Sequence, residues 1–69
     1  MKIILKDTET IRKEILQRGM NMREFAERVE ITRHYWSNIM NSKRFPSAKV
    51  AKRIADELGK PIQEVFDFE

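Results

Sequence analysis

The 69-residue chain contains no cysteine, which excludes a disulfide framework and a zinc site built on cysteine thiolates. Glycine and proline are scarce, with two residues of each, and 36% of the residues are charged. This composition suits a small helical bundle. The apolar run Ile3-Ile4-Leu5 is far too short for a signal peptide or a membrane span. We therefore expect a single cytoplasmic domain over residues 1–69 that does not contact a membrane.

The sequence also lacks the residue groupings that catalysis or ligand binding requires. His34 is the only histidine, and no second ligand lies at a spacing suited to a metal ion. The chain has no nucleophile–base grouping and no glycine-rich phosphate loop. We therefore expect no enzyme activity, no cofactor, no metal and no small-molecule ligand.

Acidic residues are missing from the middle of the chain. Residues 31–55 contain six lysines and arginines and no acid, whereas residues 56–69 contain five acids and one lysine. A solvated charged surface is the ordinary explanation for such a distribution. Because the basic zone coincides with the outward face of a predicted helix, we instead expect one face of the domain to meet a polyanion.

Apolar periodicity and capping residues predict five helices and one short strand. The strand is expected over residues 2–6, and the helices over about 8–18, 22–29, 33–40, 48–58 and 62–66. The expected N-caps are Asp7 or Thr8, Asn21, Thr32 and Ser47, while Pro61 suits the first turn of the last helix. The first helix is expected to bury Ile11, Ile15 and Leu16.

Residues 22–41 have the spacing of two short helices joined by a tight turn. Inward positions are occupied by Phe25, Ala26, Val29, Trp36 and Ile39. Outward positions on the second helix are occupied by Thr32, Arg33, His34, Ser37 and Asn38, none of which is an acid. A helix with such a face, held at a fixed angle, suits the major groove of DNA.

Over about residues 9–66 the chain resembles the Cro/C1-type (xenobiotic-response-element) helix-turn-helix family of phage repressors and bacterial regulators. The resemblance rests on Phe25-Ala26, Val29, Ile31-Thr32, Trp36-Ser37, Ile39, the loop 43–47, Ile54-Ala55, Leu58-Gly59 and residues 62–66. It implies an all-α, five-helix lambda-repressor-like domain. It also implies a sequence-specific regulator of transcription that binds double-stranded DNA, Cro-like or a minimal repressor. Such a protein would be encoded by a bacterium, a phage or another mobile element and associate with the nucleoid.

Three positions depart from the family pattern. Glu30 stands where a glycine is usual in the turn, at a cost of roughly 1 kcal/mol if its φ is positive. Met40 and Ile15 replace a glutamate and an arginine that form an ion pair in several relatives, so no buried charge is left unpaired. Met22 stands where many relatives place a glutamine, although the backbone amides at that helix start remain candidates for phosphate binding.

We expect DNA contacts from twelve residues, five of which occupy positions that the family uses to meet DNA. Base contacts are expected from Thr32, Arg33, His34, Ser37 and Asn38, with Arg33 suited to guanine and Asn38 to adenine. Phosphate contacts are expected from Asn21, Arg23, Tyr35, Asn41, Lys43, Arg44 and Ser47. Alternatively, Arg33 pairs locally with a carboxylate such as that of Glu30. Lys49, Lys52 and Arg53 face outward on the fourth helix, where they serve solubility or long-range steering.

The same resemblance predicts a homodimer on DNA, since one small module buries little DNA-facing surface. The strand 2–6 and the stretch 65–68 are candidate dimer surfaces, but these two ends could also pair within one chain. Two other functions remain open. One is a protein-interaction module such as an antitoxin, and the other is an accessory factor for recombination.

Overall fold

The computed structural model describes all 69 residues and contains five helices and two short strands. The elements are β1 (Ile3–Leu5), α1 (Thr8–Gln17), α2 (Met22–Arg28), α3 (Arg33–Met40), α4 (Ala48–Leu58), α5 (Ile62–Val65) and β2 (Phe66–Phe68). All five helices expected from the sequence are present. None of them has the length and apolar character needed to cross a membrane.

Side-chain caps fix the starts of the first four helices. The cap oxygens accept hydrogen bonds from backbone N–H groups as follows: Asp7 from Thr10 (3.2 Å), Asn21 from Glu24 (2.8 Å), Thr32 from Tyr35 (3.0 Å) and Ser47 from Val50 (3.2 Å). Each bond satisfies an amide that has no partner within its helix. The caps therefore define where α1, α2, α3 and α4 begin, as the sequence predicted.

Left-handed residues end α2 and α3 without glycine. Glu30 follows the C-cap of α2 with a φ of 65°, and Ser42 follows the C-cap of α3 with a φ of 59°. A side chain in this conformation costs about 1 kcal/mol or more relative to glycine. The suspected strain at Glu30 is therefore present, and Ser42 adds a second strained position.

The two ends of the chain pair with each other in an antiparallel sheet. Its register places Ile3 opposite Phe68 and Leu5 opposite Phe66. The last helix is one residue shorter than expected, because Phe66 has an extended backbone with a φ of −126° and begins β2. Of the alternatives left open by the sequence, pairing within one chain is therefore the one that the structure contains.

One apolar core joins the helices to the sheet. It contains the inward residues of α2 and α3, together with both Ile15 and Met40, so the two replacements of the family's charged pair are buried. The prediction that Leu16 is buried is wrong, because 57% of this residue is exposed. Ile15 is fully buried, and the next residue of a helix points about 100° away from it, which turns Leu16 toward the surface.

Candidate nucleic-acid interface

The outward face of α3 is free of internal contacts at its charged positions. Arg33 and His34 are exposed, and neither side chain forms a hydrogen bond or an ion pair. The local pairing of Arg33 with Glu30 is absent, because the Glu30 carboxylate lies 3.5 Å from the guanidinium of Arg53 instead. Arg33 and His34 therefore retain all their donors for an external partner.

The polar residues on this face differ in how far they are exposed to solvent. Thr32 and Ser37 are exposed, whereas Asn38 is half-buried. The backbone carbonyl of Asn38 accepts hydrogen bonds from the amides of Lys43 and Arg44, at 2.8 and 3.2 Å. These two bonds fix the basic loop against the last turn of α3, so the loop and the helix present their side chains together.

Three of the predicted DNA contacts are also helix caps. In Asn21, Thr32 and Ser47, the side-chain oxygen already accepts a backbone hydrogen bond. Their donors, an amide NH₂ group or a hydroxyl proton, remain unused inside the chain. Each residue can therefore donate to DNA, Thr32 to a base and Asn21 and Ser47 to a phosphate, while it continues to cap its helix.

The loop after α3 adds two exposed cations beside an aromatic ring. The Arg44 guanidinium lies 5.4 Å from the centroid of the half-buried Tyr35 ring, in cation–π geometry. Lys43 is exposed and has no acidic partner. Asn41 donates from its side-chain amide to the Ser37 hydroxyl at 3.5 Å, a long contact that leaves it other hydrogen-bonding capacity. The Arg44 side chain therefore extends from the loop after α3 back to Tyr35 in the first turn of the helix.

Met22 has a structural role that explains the missing glutamine. Its sulfur accepts a hydrogen bond from the indole nitrogen of the buried Trp36 at 3.4 Å. The capping box of α2 also occupies two of the amides considered for phosphate binding. The Asn21 amide donates to the Glu24 carboxylate, and the Glu24 amide donates to Asn21. At this helix start the side chains therefore keep more free hydrogen-bond donors for a phosphate than the backbone amides do.

Acidic side chains pair with cations outside the predicted DNA contacts. The five ion pairs are Lys6–Asp67, Arg28–Glu57, Lys52–Asp56, Arg53–Glu30 and Lys60–Glu14. The expectation that Lys52 and Arg53 serve solubility or steering is thus modified, since each is locally paired. Arg23, Arg33, Lys43 and Arg44, the four cations predicted to meet DNA, have no acidic partner. The positive charge that is predicted to meet DNA is therefore not neutralised by an ion pair within the chain.

Two adjoining clefts connect this surface with α1. The first, of about 180 Å³, is lined by Arg12, Met22, Arg33, Trp36, Ser37, Met40 and Asn41. The second, of about 490 Å³, is lined by Arg12, Leu16, Asn21, Met22, Arg23 and Arg33. Neither is lined by an acidic residue.

Arg12 is the residue of this region that sequence reasoning missed. It lies on α1, outside the helix-turn-helix segment, and belongs to no motif. A weak signal was present, because Arg12 and Leu16 are four residues apart and share the helical stripe next to Ile11 and Ile15. Only the packing of α1 beside α2 and α3 brings Arg12 to the same clefts as Arg33.

Comparisons with known proteins agree with this architecture. A family whose description is "Helix-turn-helix domain" matches residues 8–68. Among solved structures, the chain is similar to the crystal structure of the clp gene regulator ClgR from Corynebacterium glutamicum, with a TM-score of 0.68 and 19% sequence identity. The similarity covers 83% of this chain and 61% of that one, so this chain spans less than two thirds of its length. The likeness confirms the predicted fold class. A comparison with curated proteins finds no match.

Proposed function

Because the chain belongs to the helix-turn-helix domain family, we propose that it is a transcriptional regulator that binds double-stranded DNA sequence-specifically. The family is one of DNA-binding regulators and not of enzymes. The observation that most supports the proposal is the absence of internal partners for the cations on and around α3. Five cations on other surfaces of the domain are paired with acids.

In this proposal residues 22–41 form the helix-turn-helix and α3 enters the major groove. Arg33 contacts a guanine edge through two parallel hydrogen bonds, and Asn38 contacts an adenine. Thr32, His34 and Ser37 complete the base-facing set. The exposure of Arg33 and its lack of internal partners support its role, and the half-buried Asn38 keeps part of its surface exposed.

Phosphate contacts hold the recognition helix in place without selecting a sequence. We assign them to Asn21, Arg23, Tyr35, Asn41, Lys43, Arg44 and Ser47. The free donors of the capping side chains and the unpaired cations of the loop support this assignment. Each lost ionic contact is expected to reduce the slope of log K against log salt by about one unit.

We further propose a Cro-like or minimal repressor of a bacterium, phage or mobile element that binds a two-fold site as a homodimer. A pair of modules on half-sites one helical turn apart doubles the contacted DNA. Because β1 and β2 pair with each other, each strand keeps one edge that has no strand partner. The exposed Phe68 on β2 adds apolar surface there, which supports this sheet as the dimer contact.

Selection from random duplexes at two salt concentrations tests the proposal. We expect enrichment of a two-fold site and binding that weakens as salt increases. The variant Arg33→Ala should lose discrimination at one base pair, by about 1–3 kcal/mol. Lys49→Ala is the matched control, because Lys49 is an exposed, unpaired cation on α4 and its removal changes the charge equally. Lys49→Ala should retain the selected sequence.

The remaining outcomes separate the other functions. Salt-dependent binding without sequence enrichment would contradict a promoter-specific regulator and favour an accessory factor for recombination. Absence of DNA binding at low salt would contradict the proposal entirely and favour a protein-interaction module such as an antitoxin.

A further inference from the structure

Three arginines that form no internal hydrogen bond, ion pair or cation–π contact line the adjoining clefts between α1, α2 and α3. The chain has seven arginines. Arg18, Arg28 and Arg53 form hydrogen bonds within the chain, and Arg44 lies over the Tyr35 ring. The remaining three are Arg12, Arg23 and Arg33, and they are the arginines that line the clefts.

No acidic side chain lines either cleft, and none of the three arginines forms an ion pair. The nearby Glu24 carboxylate accepts a hydrogen bond from the Asn21 amide in the capping box instead. The other polar lining groups, on Asn21, Ser37 and Asn41, are neutral and carry donors. Guanidinium groups bind phosphate or carboxylate oxygens through paired, charge-assisted hydrogen bonds. The side chains of this site are therefore complementary to an anion with several oxygens.

We propose that these clefts bind one phosphate group of the DNA backbone and that Arg12 of α1 contacts it together with Arg23. The inference rests on the proposed function and extends the DNA contact surface to a helix outside the helix-turn-helix. Arg33, Ser37 and Asn41 line the first cleft and also belong to the predicted DNA-contacting set on α3. A phosphate in the clefts thus lies beside the groove that α3 enters, where the DNA backbone borders that groove.

A phosphate bound in the clefts also affects Arg33. Without an anion, the cations of Arg12 and Arg23 raise the electrostatic energy of the Arg33 guanidinium that shares their clefts. A phosphate removes this repulsion and fixes the depth of α3 in the groove. Arg12 is thereby a positioning residue for recognition as well as a phosphate contact.

The test compares Arg12→Gln with Lys13→Gln, using the selected duplex of the wild-type protein. Both residues are exposed, adjacent on α1 and without ionic partners, and both substitutions remove one positive charge, but only Arg12 lines the clefts. We expect Arg12→Gln to weaken binding about tenfold per half-site, as for one lost charge-assisted hydrogen bond. Its salt slope should fall by about 0.9 per half-site, or about 1.8 for the homodimer on a two-fold site. Lys13→Gln should change affinity less than threefold, or about 0.6 kcal/mol.

A phosphate-neutralisation scan of the same duplex identifies the contact itself. Uncharged methylphosphonate is placed at each backbone position in turn. One position per half-site should weaken wild-type and Lys13→Gln binding, and Arg12→Gln should be insensitive at that position. Equal effects of the two variants, or an unchanged scan in Arg12→Gln, would overturn the inference while leaving the proposed function intact.

Two further measurements complete the experiment: the salt dependence of wild-type DNA binding, and thermal unfolding with inorganic phosphate. If the wild-type protein shows no salt-dependent DNA binding, the proposed function fails, and the cleft inference fails with it. Thermal unfolding of the DNA-free protein with inorganic phosphate tests a free anion as the ligand. Strong stabilisation that Arg12→Gln abolishes, without any effect on DNA affinity, would also overturn the assignment to the DNA backbone. Far-ultraviolet circular dichroism verifies that both variants fold.

Discussion

Single residues of the proposed interface serve both stability and binding. Asn21, Thr32 and Ser47 cap their helices with an oxygen and keep a donor for DNA. An alanine scan of this surface would therefore lower affinity partly by destabilising the helices that present it. Conservative substitutions that keep the cap are needed to separate the two effects.

Thr32 allows such a separation at the start of the recognition helix. Thr32→Ala removes the oxygen that lies 3.0 Å from the Tyr35 amide, so we expect the free energy of unfolding to fall by about 1 kcal/mol. Thr32→Ser keeps both the cap and the hydroxyl donor, and should retain stability and DNA affinity. Urea unfolding together with DNA titration measures both quantities. A Thr32→Ala protein as stable as Thr32→Ser would contradict the capping role.

Ser42 is a strained residue whose replacement should stabilise the fold. Its φ of 59° costs about 1 kcal/mol or more for a side chain, and Ser42→Gly removes that cost. Glycine also raises the entropy of the unfolded chain by up to about 1 kcal/mol. We therefore expect the free energy of unfolding, measured by thermal unfolding, to rise by about 0.5 kcal/mol. Ser42→Ala, which keeps the strain, is the control, and an equal gain in that variant would refute the explanation.

At the scale of elements, local chemistry predicted helix starts better than it predicted pairing and orientation. The N-caps Asn21 and Thr32 could be predicted from the sequence, because an N-cap hydrogen bond joins residues only three positions apart. The exposure of Leu16 depends on how α1 packs against the rest of the domain, and apolar character alone could not predict it. The β1–β2 pairing joins residues more than sixty positions apart, so no local pattern could specify it. For the same reason, the convergence of Arg12 with Arg33 could not be predicted.

The N-cap of α1 predicts a pH dependence of stability. The Thr10 hydroxyl donates to the Asp7 carboxylate at 2.8 Å, and the Thr10 amide donates to it as well, which lowers the pKa of Asp7 below its usual 3.8. A lowered folded-state pKa gives a stabilisation that is present above about pH 3.8 and is lost as the pH falls through the folded-state value. In Asp7→Asn the cap persists but cannot titrate, so stability should fall less steeply toward pH 3.

Chemical unfolding at pH 7 and pH 3 measures this difference. The wild-type protein should lose more stability than Asp7→Asn over that interval, because all other carboxylates are common to the two proteins. Thr10→Ala provides a second check, since it removes the side-chain donor and should raise the pKa of Asp7 in an NMR titration. Identical pH profiles for wild type and Asp7→Asn would exclude the cap as the cause.

At the scale of the whole molecule, the sheet between the chain ends stabilises a DNA-binding surface that it does not belong to. Phe66 and Phe68 lie two residues apart on β2, yet Phe66 is 1% exposed and Phe68 is 46% exposed. Phe66 belongs to the one core that also contains Trp36 and Ile39 of α3. Because a domain of this size has only about 3–10 kcal/mol of stability, loss of one large core residue affects all five helices together.

We therefore expect Phe66→Ala to cost about 3–5 kcal/mol and to leave much of the protein unfolded near 37 °C, with DNA binding lost as α3 unfolds. Phe68→Ala in the same strand should cost less than about 1 kcal/mol, because its ring is half-exposed. Thermal unfolding followed by circular dichroism compares the two variants. A midpoint as low for Phe68→Ala as for Phe66→Ala would mean that aromatic content of the strand, rather than burial in the shared core, sets the stability. If Phe68→Ala keeps its midpoint but binds the two-fold site more weakly, the exposed ring acts between two copies of the chain on DNA.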